Sequence, residues 1–180
     1  MRLFFALWPD DDTRAHIANA ALALRGAADA RPVPQENYHV TLAFVGEATL
    51  PQLAVLQQIG RAQRAAGCTI RFDAYDYWPD PRVVVAIARE SPASLSQLWT
   101  QLHRDLALLQ PDLNLKSPYA PLRSHITLAR KVAQAPVLPV MSPFDWTARS
   151  FSLVRSDTTG ARSVYTVVDT WQLLDERPKP

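Results

Sequence analysis

One pentapeptide occurs twice in the chain with a single change: His39-Val40-Thr41-Leu42-Ala43 and His125-Ile126-Thr127-Leu128-Ala129. Both copies are rich in β-branched residues and read as strands. Little else recurs at that separation, so the echo is not the period of a solenoid. A duplicated lobe, drifted apart everywhere except at its working strand, accounts for it most economically. Any fold for this chain must then hold two like strands, one from each half.

The segments between the copies read as a mixture of elements. Leu3–Leu7 predicts a strand, and Pro9-Asp10 opens a helix with Ile17, Ala20, Ala21 and Leu24 at helical spacing, stopping at Gly26. Tyr38–Val45 is the strand of the first copy. Thr49-Leu50-Pro51-Gln52 resembles a capping box and starts a helix expected to reach about Ala66. Thr69–Tyr75 and Arg82–Ala88 read as strands, the second apolar enough to be central. Ser91-Pro92 begins the clearest helix, with Leu95, Leu98, Trp99, Leu102, Leu106 and Leu109 on one stripe. Ser124–Arg130, Arg149–Val154 and Val164–Leu173 complete the strands. Strands outnumber helices without strict alternation, which predicts an α+β fold. The 180 residues suffice for one domain spanning 1–180. Fifteen prolines punctuate its loops.

Composition narrows the function. A net charge of +2 does not suggest a broad grip on duplex nucleic acid, though it leaves room for a small basic phosphate site. The single cysteine, Cys68, can form no internal disulfide and suits a reducing, cytoplasmic setting. The apolar run before Pro9 is too short for a signal-peptide core, and no later stretch reaches membrane-spanning length.

The chemistry lies in the paired His-x-Thr strands. Side chains alternate across a strand, so His39 and Thr41 share one face and Val40 and Leu42 the other. The same holds for His125 and Thr127 against Ile126 and Leu128. If the polar faces meet across a groove, two imidazoles and two hydroxyls converge. One neutral histidine can take a proton from water while the other, as imidazolium, protonates a leaving ribose oxygen. Thr41 and Thr127 can donate to phosphate oxygens, and Arg130 can clamp the phosphate. Strict alternation puts Arg130 on the wrong face, so its entry requires a twist or bulge. A lone His-x-Thr is most simply a half-exposed sheet surface. Two copies, from a chain with only four histidines, outweigh that reading.

The remaining candidates take plain readings. His16 is a solvated or boundary residue, and His103 flanks the apolar stripe of its helix. Neither has a partner at metal-ligand spacing, so no metal and no cofactor is expected. Asp10-Asp11-Asp12 complements a helix dipole, and Cys68 is a small buried or strand-edge residue.

The motifs together resemble those of the two-histidine (2H) phosphoesterases, and within them the bacterial RNA 2′,3′-cyclic phosphodiesterases historically called 2′-5′ RNA ligases. Arg2–Ala6 is similar to the opening strand, Glu36–Glu47 to the first motif, Ser124–Arg130 to the second and Tyr165–Leu173 to the closing strand. The resemblance implies a bilobal fold with pseudo-two-fold symmetry, outer helices and a central cleft lined by both motifs. It implies metal-independent hydrolysis of RNA 2′,3′-cyclic phosphate ends to 2′-phosphomonoesters by a monomer. His125 would activate water and His39 protonate O3′, while Thr41, Thr127 and Arg130 hold the phosphate. The partners implied are RNA ends or short oligonucleotides carrying the cyclic phosphate, and no membrane. One departure stands out. The family commonly has Arg-Pro-Phe-x-Pro before the second histidine, where this chain has Ala120-Pro121-Leu122-Arg123-Ser124, and Arg123 is expected to replace some of the missing charge. Three other readings stay open: 2′-5′ ligation of RNA, hydrolysis of a small cyclic nucleotide, and a non-catalytic module that binds RNA ends.

Overall fold

The first strand, β1 (Arg2–Leu7), has every residue after Arg2 buried, which makes it an interior strand rather than an edge. The computed structural model describes residues 1–25, 30–109, 122–158 and 163–175. Helix α1 (Asp11–Leu22) follows, its N-terminus capped by the Asp10 carboxylate, which accepts from the Thr13 N–H at 2.8 Å. The expected stop at Gly26 lies outside the described residues.

A two-residue strand, β2 (Arg31–Pro32), and a turn of 3-10 helix at Gln35–Asn37 lead into β3 (Val40–Glu47). That strand starts two residues later than the pattern suggested, so His39 stands just ahead of it. The Thr49–Gln52 capping box forms as read and opens α2 (Leu50–Ala62). This helix ends four residues short of Ala66. Gln63 already adopts extended backbone there, its side chain donating to the Ile59 carbonyl at 2.9 Å and to Asp105 at 2.8 Å.

The strand expected over Thr69–Tyr75 is in fact two, β4 (Cys68–Phe72) and β5 (Ala74–Trp78), in different sheets. Asp73 divides them: its N–H donates to the Ile87 carbonyl at 3.1 Å and its carboxylate accepts from the Arg89 N–H at 3.3 Å. Strand β6 (Val83–Ile87) and helix α3 (Ala93–Leu109) then follow. The stripe of α3 is buried from Leu95 through Leu106, and the Leu109 side chain lies outside the described residues. His103 is not at the boundary of that stripe but 3% exposed. Its ring packs on Trp99 at 4.1 Å, and its Nδ1 bonds the Trp99 carbonyl at 2.8 Å.

The chain closes with β7 (His125–Arg130), β8 (Phe144–Ala148), β9 (Ser150–Asp157) and β10 (Val164–Gln172). The order β10-β9-β1-β3-β7-β6-β5 makes one antiparallel sheet, with β2 also on β7. Strand β6 is interior to it, as its composition suggested. β4 and β8 pair separately over five residues each, from Cys68 opposite Ala148 to Phe72 opposite Phe144. α1 packs on β8, α2 on β9 and β10, and α3 on β3. The main core lies between these helices and one face of the large sheet, with Leu3, Phe5, Val40, Leu42, Ile126 and Leu128 among its members. The α+β class follows, and the other face of the sheet is left for the polar side chains of the motifs. No described helix is long and apolar enough to cross a membrane.

Candidate active site

The two motif strands meet at a single register pair, Val40 opposite Ile126, and both residues are fully buried. An antiparallel pairing centred there sets His39 near Thr127 and Thr41 near His125, all on the face away from the core. The two copies are thus related about the Val40–Ile126 pair.

The copies share a second feature. Against β1, Ala6 pairs with Thr41 and Phe5 with Ala43, leaving Leu42 extra. Against β6, Val85 pairs with Thr127 and Val84 with Ala129, leaving Leu128 extra. In each motif the leucine after the threonine is therefore a β-bulge. Leu42 and Leu128 are 2% and 1% exposed, and burying each contributes about 1.5–3 kcal/mol. Each is followed by a buried alanine, so the alternation reverses. After the reversal Arg130, opposite Val83, shares the face of His125 and Thr127. Phe44, opposite Phe4, likewise shares the face of Thr41 and is 67% exposed. The bulge that Arg130 required is present, built into the repeated Thr-Leu-Ala itself.

His39, Thr41, His125, Thr127 and Arg130 all line one cavity of about 620 Å³. That volume is ordinary for a small-ligand site. Each histidine is oriented in the same way. Nδ1 of His39 lies 2.7 Å from the Asn37 carbonyl, and Nδ1 of His125 lies 2.8 Å from the Arg123 carbonyl. A carbonyl only accepts, so Nδ1 carries the proton in both rings and Nε2 is the reactive nitrogen. The Nε2 of His39 lies 3.0 Å from the Thr41 hydroxyl, which donates to it when the ring is neutral.

Their surroundings differ. His39 sits in an aromatic enclosure: Phe4 at 5.0 Å, Tyr165 edge-on at 5.4 Å, and Trp8 nearly parallel at 5.7 Å. Burial there pushes its pKa down to about 4, with the charges of Arg130 and His125 adding to the effect and the Asn37 carbonyl opposing it. His39 is therefore neutral at pH 7 in the free protein. His125 packs against Trp78, ring centroids 4.4 Å apart. The Trp78 Nε1–H donates to Asp76 at 2.7 Å, and Asp76 also pairs with Arg123 at 3.0 Å. The Arg123 guanidinium lies 4.9 Å from the Trp78 ring. Arg123 thus braces the indole behind His125, its charge paired with Asp76. Ala120 and Pro121, in the altered segment before it, lie outside the described residues.

Sequence reading missed the aromatic enclosure and Trp78. Phe4, Trp8 and Tyr165 come from β1, the turn after it and β10, so no local spacing links them to His39. Among the described residues no three His, Cys, Asp or Glu side chains come together as metal ligands would. His16 is exposed, and Cys68 is buried.

Comparison with known proteins agrees with this arrangement. The family profile described as LigT like Phosphoesterase matches residues 7–85, which include the first motif. The Thermus thermophilus protein named RNA 2′,3′-cyclic phosphodiesterase is 32% identical, with 98% of this chain and 92% of that protein aligned. Its Escherichia coli namesake is 31% identical over 96% of each. Both alignments extend through the second motif. The crystal structure of E. coli LigT complexed with 3′-AMP superposes with a TM-score of 0.82 at 30% identity, covering 97% of this chain and 98% of that one. The structure of TT0787 from T. thermophilus gives 0.84 at 30% identity, covering 98% and 100%. With two bulged His-x-Thr strands on one cleft and relatives aligned over nearly its whole length, the chain belongs to the LigT-like phosphoesterase family.

Proposed function

We propose that this chain hydrolyses RNA 2′,3′-cyclic phosphate ends to 2′-phosphomonoesters, with His39 and His125 as its acid–base pair. The observation that carries the reading is the convergence of both imidazoles, both threonine hydroxyls and Arg130 on one cavity. Relatives named RNA 2′,3′-cyclic phosphodiesterase support the substrate class.

The cyclic phosphate sits between the two rings, its non-bridging oxygens taking hydrogen bonds from Thr41 and Thr127 and a charge-assisted contact from Arg130. Water attacks phosphorus and gives its proton to Nε2 of His125. The P–O3′ bond breaks, and Nε2 of His39 protonates the departing O3′. The product carries a 2′-phosphate and a free 3′-hydroxyl, and solvent restores both rings. His39 is neutral at rest, so it must take up a proton from solvent as the anionic substrate binds. A negative charge placed beside the ring favours that uptake, as it raises the pKa that burial had lowered. Side chains supply both the proton transfers and the charge neutralisation, so turnover is expected to persist in EDTA.

The reading takes residues 1–180 as one domain of two intertwined lobes, acting as a cytoplasmic monomer. The single eight-stranded sheet that joins the two motifs, and the lone buried cysteine, support it. Ligation and hydrolysis share the same acid–base pair by microscopic reversibility, and one incubation separates them. RNA fragments with 2′,3′-cyclic phosphate and 5′-hydroxyl ends are expected to yield 2′-phosphate ends as the main product. Longer products in excess of 2′-phosphate ends would assign the cleft to ligation instead.

A further inference from the structure

Adjoining the cleft is a second cavity of about 700 Å³ that shares Pro81, Val83, Arg130, Thr158, Ser163 and Tyr165 with it but contains neither histidine. Three cations line it, Arg31, Arg130 and Lys131, against one carboxylate, Glu36. None of the three cations has an ion pair with a described residue. Unpaired cations gathered at one concave surface attract an anion.

The walls are fixed by the motif strands. β2 pairs with the end of β7, setting Arg31 directly opposite Arg130. Lys131 has left-handed backbone, φ 59°, which an L side chain adopts only at a cost. The next N–H, of Val132, donates to the Arg82 carbonyl at 3.1 Å and holds that turn. On the far wall the Asn37 side chain donates to the Ser163 carbonyl at 2.9 Å, while its own carbonyl orients His39. The cavity therefore adjoins the His39 side of the cleft through Asn37, while Pro81 and Val83, the latter paired with Trp78, form a wall that it has in common with the cleft.

That position identifies its occupant. If His39 protonates O3′, the ribose bearing O3′ lies on the His39 side, and everything attached to its 5′ carbon leads away from His125. We propose that this cavity receives the 5′-phosphate of the terminal nucleotide, with Arg31 and Lys131 on its oxygens, so that the enzyme reads the end of a chain rather than a bare nucleoside cyclic phosphate. The inference rests on the proposed reaction and adds a substrate requirement to it.

The test compares three substrates of one base: a nucleoside 2′,3′-cyclic phosphate, the same compound with a 5′-phosphate, and a dinucleotide ending in the cyclic phosphate. One or two charged hydrogen bonds to the added phosphate give an expected gain in kcat/KM of about 10- to 100-fold. The gain is expected for both phosphate-bearing substrates and to shrink as salt is raised. If only the dinucleotide gains, the second nucleoside rather than the phosphate is recognised, and the proposal fails. In an Arg31→Gln/Lys131→Gln variant the gain should fall below about threefold, while turnover of the nucleoside cyclic phosphate stays at the wild-type rate and reports an intact fold. Equal turnover of all three by wild type, or a gain that survives in the variant, would overturn the assignment. Should wild type turn over none of them, the proposed reaction fails, and binding still decides this one. Tighter binding of the 5′-phosphorylated compound by wild type alone supports the cavity, and equal affinities refute it.

Discussion

His39→Ala and His125→Ala are each expected to lower kcat/KM on cyclic-phosphate RNA by about 10²–10⁴-fold, the usual worth of one positioned proton transfer. The two act in one concerted event, so the double variant should be scarcely slower than the slower single variant rather than slower by the product of the two losses. Folding needs separate control for the two sites. His39 fills an enclosure of Phe4, Trp8 and Tyr165, and its loss leaves a hole in packed aromatic surface. His125 packs against Trp78 and lies outside that enclosure, so its replacement leaves the aromatic packing around His39 in place. Steady-state kinetics beside a thermal melt of each variant makes the distinction. A His125→Ala protein that keeps near wild-type turnover would remove it from the acid–base pair.

The second large effect concerns stability in acid. His39 has a folded-state pKa of about 4 against an ordinary value of 6.5, so the native protein holds it neutral while the unfolded chain protonates it below pH 6.5. The stability that depends on its neutral form is complete above pH 6.5. It is lost as pH falls toward 4 and no longer changes below that. A difference of two to three pKa values corresponds to about 3 kcal/mol over that window. A His39→Gln variant has no such titration, so it should lose less stability than wild type between pH 7 and 4, by roughly that amount. Urea unfolding of both proteins at the two pH values measures it, and the comparison cancels the carboxylates common to both. Parallel losses would mean that the enclosure does not exclude water from the ring.

Much of this site was legible in the sequence because its chemistry is strand-local. The His-x-Thr spacing sets two side chains on one face, and the repeat announced that the same face is built twice. Even the approach of Arg130 followed from parity: an arginine three residues after Thr127 reaches the cleft only across a bulge. Leu128-Ala129, two small-to-medium apolar residues in a row, supplies one. The capping box at Thr49 was equally local. What escaped was set by contacts distant in sequence. The break at Asp73 depends on hydrogen bonds to Ile87 and Arg89, so an apparently continuous strand divides between two sheets. Strand β8 carries a clear two-residue alternation of Phe144, Trp146 and Ala148, but it follows a proline-rich stretch that reads as loop. His103 was misplaced because spacing on a helix shows which face a residue takes, not how far a neighbouring tryptophan covers that face. The enclosure around His39 draws on three separate segments and is invisible to any pattern within one.

The most direct test of the account is the identity of the product made without metal. A short RNA ending in 2′,3′-cyclic phosphate, incubated with the full chain in EDTA, is expected to give a 2′-phosphate and a free 3′-hydroxyl, resolved by phosphorus NMR. That outcome requires the P–O3′ bond to break, as protonation of O3′ by His39 demands. A 3′-phosphate product, or no turnover by the folded protein, would contradict the assignment of these two histidines to this reaction.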